Sequence, residues 1–258
     1  MLATTRHRLP STMLKRTLGH ALMIAALAGI ATTASADAMT PFQAHFNVSR
    51  GVLGLGTATF HLRPAEKPGC YVYTGHANPN ALAHLFIGKI TEKSRFCITN
   101  GHIHPSYFKH HIAGDKKHSY TLHFDWSRHV VHYENGKGKN KTLRIGKQAL
   151  DPLSLQIAAR RWIEASSHPT QLGQRTFTLV DGDDIKPYKL KVETAPDVSV
   201  PAGHYSVLLV QRVNDNHPLK FWLAKNADWI PVRVEKTSGG NSFEMNMRKL
   251  VLNGHIKH

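Results

Sequence analysis

Histidine is the residue whose abundance first suggests chemistry: the chain holds 19, and eight of them fall between His102 and His132. His102 and His104 stand two apart, so on a strand their rings leave the same face, and His110 and His111 lie further along the same run. Imidazole is the commonest transition-metal ligand, so paired strands bearing such rings could hold zinc or copper, with His102, His104 and His110 as the ligands. Strand alternation, however, scatters these rings over two faces and several turns. The chain contains no His-Glu-x-x-His motif and no Cys/His zinc spacing, so ordinary surface and core histidines are the competing reading and no metal is favoured.

The other chemical motifs are weaker. Val180-Asp181-Gly182-Asp183-Asp184 is acidic, but the glutamate that would complete a calcium loop is missing, and the segment reads as an Asp-Gly turn. Gly-x-Ser-x-Gly, a phosphate-cradling glycine loop and Cys-x-x-Cys are all absent, so nothing calls for a cofactor and the residues point to binding rather than catalysis. The glycines of Gly51-Val52-Leu53-Gly54-Leu55-Gly56 sit between strand-like runs and read as bends or bulges. Asn135-Gly136-Lys137-Gly138-Lys139-Asn140-Lys141 places Lys137, Lys139 and Lys141 on a hairpin tip. There they could touch an anionic membrane face, the alternative being a solvated loop.

The elements that must position these residues are mostly strands. Fourteen runs from Pro41–Ser49 to Ser242–Leu252 alternate polar and apolar residues between Gly, Pro, Asn and Asp, the period-two pattern of half-buried strands. Asn100-Gly101 and Asn135-Gly136 are hairpin signals, so sequential antiparallel pairing is expected. Helix is expected from Pro152 to about Ser166, with Asp151 as cap and Pro152 in the first turn. Leu155, Ala158, Ala159 and Trp162 should face the core, while Arg160, Arg161 and Glu164 can face water. A shorter helix is possible near Asn80–Phe86. The expected fold is mainly β: a strongly curved antiparallel sheet, barrel or half-barrel, with one amphipathic helix packed over it; a two-sheet sandwich is the second choice.

The beginning of the chain speaks to location. Arg6, Arg8, Lys15 and Arg16 precede an apolar stretch from Leu18 to about Ile30, and Ala34-Ser35-Ala36 supplies the small residues a signal peptidase admits. The stretch is too short for the roughly 20 residues of a membrane span. Residues 1–36 are therefore expected to be a cleaved export signal, leaving 37–258 as a single soluble β-rich domain of the periplasm. Removing four basic residues from a formal charge of +16 leaves +12. Such a field favours anionic envelope partners, and export makes nucleic acid the least suitable. Cys70 and Cys97 lie in strand-like segments and could form a disulfide in an oxidising compartment, two buried thiols being the alternative.

Asp151-Pro152-Leu153-Ser154, Pro201-Ala202-Gly203-His204-Tyr205, and Phe221-Trp222-Leu223-Ala224 followed by Pro231-Val232-Arg233 resemble landmarks of the bacterial envelope family called domain of unknown function 3108. The likeness runs from about Phe42 to Leu252. It implies an exported β-rich fold and carries no established catalytic residues. A looser architectural similarity to periplasmic lipoprotein carriers suggests an apolar interior pocket. A dozen or so strands exceed the eight that side chains can fill, and aromatics make up only 8% of the chain. We therefore expect a mainly apolar cavity of several hundred cubic ångströms, its mouth near the Pro152–Ser166 helix and the basic loops around it, holding a lipid or other amphiphile against residues such as Leu155, Trp162 and Trp222. A histidine-borne metal module or hydrolase, and an envelope assembly factor, are the alternatives. Oligomeric state is not legible.

Overall fold

The computed structural model of the chain describes residues 38–84, 88–213, 218–238 and 241–257. The expected export signal lies outside the described residues. The first strands are β1 (Phe42–Arg50), β2 (Leu53–Pro64) and β3 (Cys70–Pro79), and a one-turn helix α1 (Ala81–His84) follows. Next come β4 (Ile90–Thr99), β5 (His102–Ile112), β6 (Asp115–Asp125), β7 (Val130–Asn135) and β8 (Asn140–Arg144). Helix α2 (Pro152–Glu164) leads to β9 (Gln174–Asp181), β10 (Asp184–Thr194), β11 (Val198–Val200), β12 (Gly203–Tyr205) and β13 (Val207–Arg212). The chain ends in β14 (Leu219–Ala224), β15 (Ile230–Ser238), β16 (Asn241–Leu252) and β17 (His255–Lys257).

Fourteen strands form one continuous antiparallel path, β8-β7-β6-β5-β4-β3-β2-β1-β16-β15-β14-β13-β10-β9, and β17 adds to β16. Most strands pair with a neighbour in sequence, several through short Gly- or Asn-bearing turns, while β1–β16 and β10–β13 pair across longer separations. Asn100 and Gly101 take φ of 51° and 76°, as a two-residue hairpin turn requires. The run expected as one strand from His204 to Arg212 is split. Gly203–Tyr205 pairs with β11 in a separate two-stranded sheet, and only Val207–Arg212 joins the main sheet. The expected bulge in the glycine-rich segment is present: Val48 faces Gly56 and Ser49 faces Gly54, so Leu55 is the extra residue.

The sheet curls until its edges approach one another. Among the described residues no ladder joins β8 to β9, so the barrel is open. A backbone bridge narrows the gap: Leu150 N–H donates to the Thr178 carbonyl (2.9 Å) and Val180 N–H to the Leu150 carbonyl (2.8 Å). One apolar core runs along the inner face, with Phe96, Phe108, Leu62 and Leu122 essentially without solvent contact. No helix among the described residues is long and apolar enough to cross a membrane.

Helix α2 begins where its cap demands. The Asp151 carboxylate accepts from Leu153 N–H and Ser154 N–H, both at 2.9 Å, and the Ser154 hydroxyl accepts from Asp151 N–H, a reciprocal capping box. The buried face includes the expected Leu155 and Ala159, with Ala158 and Trp162 packed against the core, but it extends further than expected. Leu153, Leu155, Ile157, Ala159, Arg160 and Ile163 are buried, whereas Ala158 and Trp162 are half-buried. Arg160 does not face water: its guanidinium donates to the Asp228 carbonyl (2.8 and 3.2 Å) and carboxylate (3.0 Å) and lies 5.0 Å from the Phe42 ring centroid. A buried charge is tolerated where such partners meet it, and periodicity alone cannot reveal a partner 68 residues away.

Cys70 and Cys97 face each other across β3 and β4 and are joined in a disulfide.

Candidate functional site

The curled sheet encloses a cavity of about 660 Å³. Its walls follow from alternation. Lys186, Tyr188 and Leu190 leave one face of β10, Val210 and Arg212 one face of β13, and Leu219, Phe221 and Leu223 one face of β14. Cross-strand register then aligns Leu190 with Arg212, Val210 with Phe221, and Leu219 with Lys236 on β15. Helix α2 supplies Leu155, Gln156, Ala159 and Arg160 as the floor.

Exposure falls steeply from one end to the other. Toward α2 the lining residues Leu155, Ala159, Leu179, Leu190, Val210 and Leu223 are at most 7% exposed. At the far end Lys236 is exposed and the side chains of Asp181 and Lys186 are 39% and 34% exposed. The mouth therefore lies opposite the helix, which corrects the expected placement beside it, while the basic β7–β8 turn expected around it is at that end. The physical reason is that α2 must bury its apolar face, and the open end of the sheet interior is where it can do so.

The two ends also differ in chemistry. Near the mouth a string of polar contacts crosses the gap between the sheet edges. Glu92 Oε1 and His110 Nδ1 share a hydrogen bond of 2.9 Å, and the His110 ring stacks on Tyr120 at 5.4 Å between centroids. Tyr120 Oη donates to Asp181 Oδ1 (2.7 Å), and Lys186 Nζ donates to Asp181 Oδ2 (2.9 Å). Burial opposes ionisation of Asp181, but the hydrogen bonds from Lys186 and Tyr120 overcome it and hold the carboxyl below its ordinary value. Burial and the Asp181 charge push the Tyr120 hydroxyl upward, so it remains a donor at neutral pH. The Arg212 guanidinium lies 4.4 Å from the Tyr188 ring centroid. At the floor, Tyr73 Oη donates to Gln156 Oε1 (3.0 Å), and an apolar annex of about 30 Å³ opens behind Gln156 among Phe42, Phe46, Phe60 and Met245. The cavity thus combines a closed, largely apolar inner end with a polar mouth, rather than being mainly apolar throughout.

Of the three residues expected at a ligand, Leu155 lines this cavity. Trp162 lines a separate depression of about 320 Å³ with His102, Arg175 and Phe177. Trp222 alternates with the lining residues Phe221 and Leu223, so it leaves the other face of β14, where the Arg233 guanidinium stacks on it at 5.9 Å. Lys137, Lys139 and Lys141 do lie on or beside a hairpin tip, but Lys139 donates to the Asp183 carboxylate (2.7 Å) and Lys141 to its carbonyl (2.8 Å).

His102 and His104 are neighbours, with ring centroids 6.5 Å apart. His110 is eight residues beyond His102 on one strand, about 26 Å at strand rise. Those three rings do not converge, and among the described residues no three His, Cys, Asp or Glu side chains are grouped to hold a metal.

Sequence reasoning missed Tyr120, Asp181, Lys186 and Arg212. The signal was present in the alternation: a lysine or arginine two residues from an inward Tyr188 or Val210 shares its face and must point inside.

A mainly antiparallel sheet curled around a helix-floored cavity defines the molecule as β-barrel-like. It is similar in fold to the crystal structure of a β-barrel-like protein of domain of unknown function DUF1849 from Brucella abortus, at 12% identity and a TM-score of 0.50, covering 83% of this chain and 98% of that one. The chain itself belongs to the family described as protein of unknown function DUF3108, whose model matches residues 42–248. No curated protein matches the sequence.

Proposed function

We propose that the protein is an exported, non-enzymatic binder of an amphiphile, held with its apolar portion toward α2 and its polar head at the mouth. The observation that carries this reading is the cavity: about 660 Å³ falls within the usual range for small-molecule sites, and its walls grade from apolar to polar along one axis. Water against Leu155, Ala159, Leu179, Leu190, Val210 and Leu223 would find few partners besides Gln156 and Arg160, and an acyl segment would gain buried apolar area there. Export is supported by the basic, apolar and small-residue succession in residues 1–36 and by the Cys70–Cys97 pair.

Native mass spectrometry of the protein purified from its own envelope, followed by solvent extraction, is expected to show a bound amphiphile. The delipidated protein should bind cis-parinaric acid, a fluorescent fatty acid, with about one site. Ala159→Trp, which places a large ring on the cavity floor, should abolish that binding while leaving the far-UV spectrum unchanged. A protein that carries no extractable amphiphile and gives no saturable probe signal would overturn the proposal.

A further inference from the structure

The mouth end carries a second feature that the cavity does not require. In an antiparallel path alternate turns share one end, so the β1–β2, β5–β6, β7–β8 and β9–β10 turns all rim the mouth, together with the end of β13. Four large hydrophobic residues are exposed among the described residues, and three of them stand on this rim: Val52 (108%), Leu53 (47%) and Val213 (37%). The fourth, Ile256, is at the helix end. Single exposed hydrophobes are ordinary, but two adjacent ones at the tip of a turn are not accounted for by folding. Gly51 and Gly54 flank them, and a Cβ at either would meet nothing within 4 Å, so the tip projects into open space.

The same rim is basic. Lys89, Lys116, Lys117, Lys137, Lys139 and Lys141 lie on or beside its turns, against Asp115, Glu134, Asp183 and Asp184. Lys139 and Asp183 pair with each other (2.7 Å) and cancel, and Asp115 is engaged by His118 (2.6 Å), which leaves Lys89, Lys116, Lys117, Lys137 and Lys141 as the positive charges of the rim. Exposed aliphatic side chains projecting from a positively charged rim match one kind of surface. An anionic lipid bilayer takes lysines at its headgroups and Val52 and Leu53 at the acyl boundary, whereas an acidic polysaccharide or protein face offers the charge without the apolar layer.

We propose that the mouth rim is a docking surface for an anionic membrane, with Val52 and Leu53 entering the interface and the flanking lysines on the headgroups. Docked in this way, the cavity opens onto the bilayer, and an amphiphile crosses between them without passing through water. That last consequence rests on the proposed binding function; the docking itself does not.

The test is co-sedimentation of the purified protein with vesicles of phosphatidylcholine alone or mixed with phosphatidylglycerol. Binding is expected only to the mixed vesicles and should weaken sharply at about 0.5 M salt, where charges are screened within a few ångströms. Val52→Asp combined with Leu53→Asp should lower partitioning at least tenfold. Lys137→Glu should lower it by about fivefold or more, while Ile256→Asp, at the other end, should leave it unchanged. The exposed Val52/Leu53 variant should still bind cis-parinaric acid, so a failure of docking and a failure of the cavity reading give different results. Absence of binding to the mixed vesicles, equal loss with Ile256→Asp, indifference to the Val52 and Leu53 changes, or capture by an acidic polysaccharide in place of vesicles would each overturn the proposal.

Discussion

Asp151 offers a sharp test of how burial and hydrogen bonding balance beneath the cavity floor. Its carboxyl is without solvent contact and accepts three hydrogen bonds: two from the first turn of α2 and one from Ser94 Oγ at 2.7 Å. Those bonds favour the charged form, yet burial dominates and raises the pKa from 3.8 to about 6. The folded state therefore holds a proton between about pH 4 and 6 that the unfolded chain has released. The stability this provides is fully present below pH 3.8 and is lost as pH rises through 6. The difference corresponds to about 3 kcal/mol. Asp151→Asn keeps an N-cap of equal quality and cannot ionise, and the Ser94 hydroxyl can rotate to accept from the new amide. In urea unfolding with the disulfide intact, the variant should match the wild type near pH 4 and exceed it by about 2–3 kcal/mol near pH 8. Taking the difference between the two proteins cancels every other titrating group. A variant that is less stable than the wild type by a constant amount from pH 4 to pH 8 would refute the reasoning, because it would mean that the hydrogen bonds fully compensate burial of the charge.

Three further outcomes follow from particular contacts. Arg160→Met keeps the apolar stem but strips the Asp228 carbonyl of two donors. It should cost about 2–4 kcal/mol in denaturant unfolding, the lower part of the range reflecting an Asp228 side chain that is 28% exposed, and Asp228→Asn should cost about 1 kcal/mol. Replacing Cys70 and Cys97 together by Ser opens a crosslink spanning 27 residues and should lower stability by about 3–4 kcal/mol, a loss that reducing agent should reproduce in the wild type but not in the variant. Gly56→Ala should lower the thermal midpoint by several degrees, since φ is +148° there and a Cβ would sit 2.2 Å from the Asn78 carbonyl oxygen, whereas Gly54→Ala, with open space, should be nearly silent.

What the amino-acid sequence determined by itself is whatever depends on near neighbours. Period-two alternation named fourteen strands, Asn100-Gly101 specified its turn, and Asp151-Pro152 set the start of α2, because each rests on contacts within a few residues. Cys70 and Cys97, though 27 residues apart, were legible as candidate neighbours because they lie on successive strands of an antiparallel sheet. Membership of the family was legible too, from short motifs whose order survives along the chain. The cavity was foreseeable as a consequence of strand number, but its polarity and orientation were not. Which face of α2 is buried depended on Asp228 reaching Arg160, and the polar mouth depended on Tyr120 of β6 meeting Asp181 of β9 across the gap between two sheet edges. Trp222 looked like a lining residue by type and was placed on the outer face by register alone, since a one-residue offset in a strand reverses the side. Pairings 61 and 68 residues apart carry no local signature, because the free energy that selects them comes from curling the whole sheet until its edges meet.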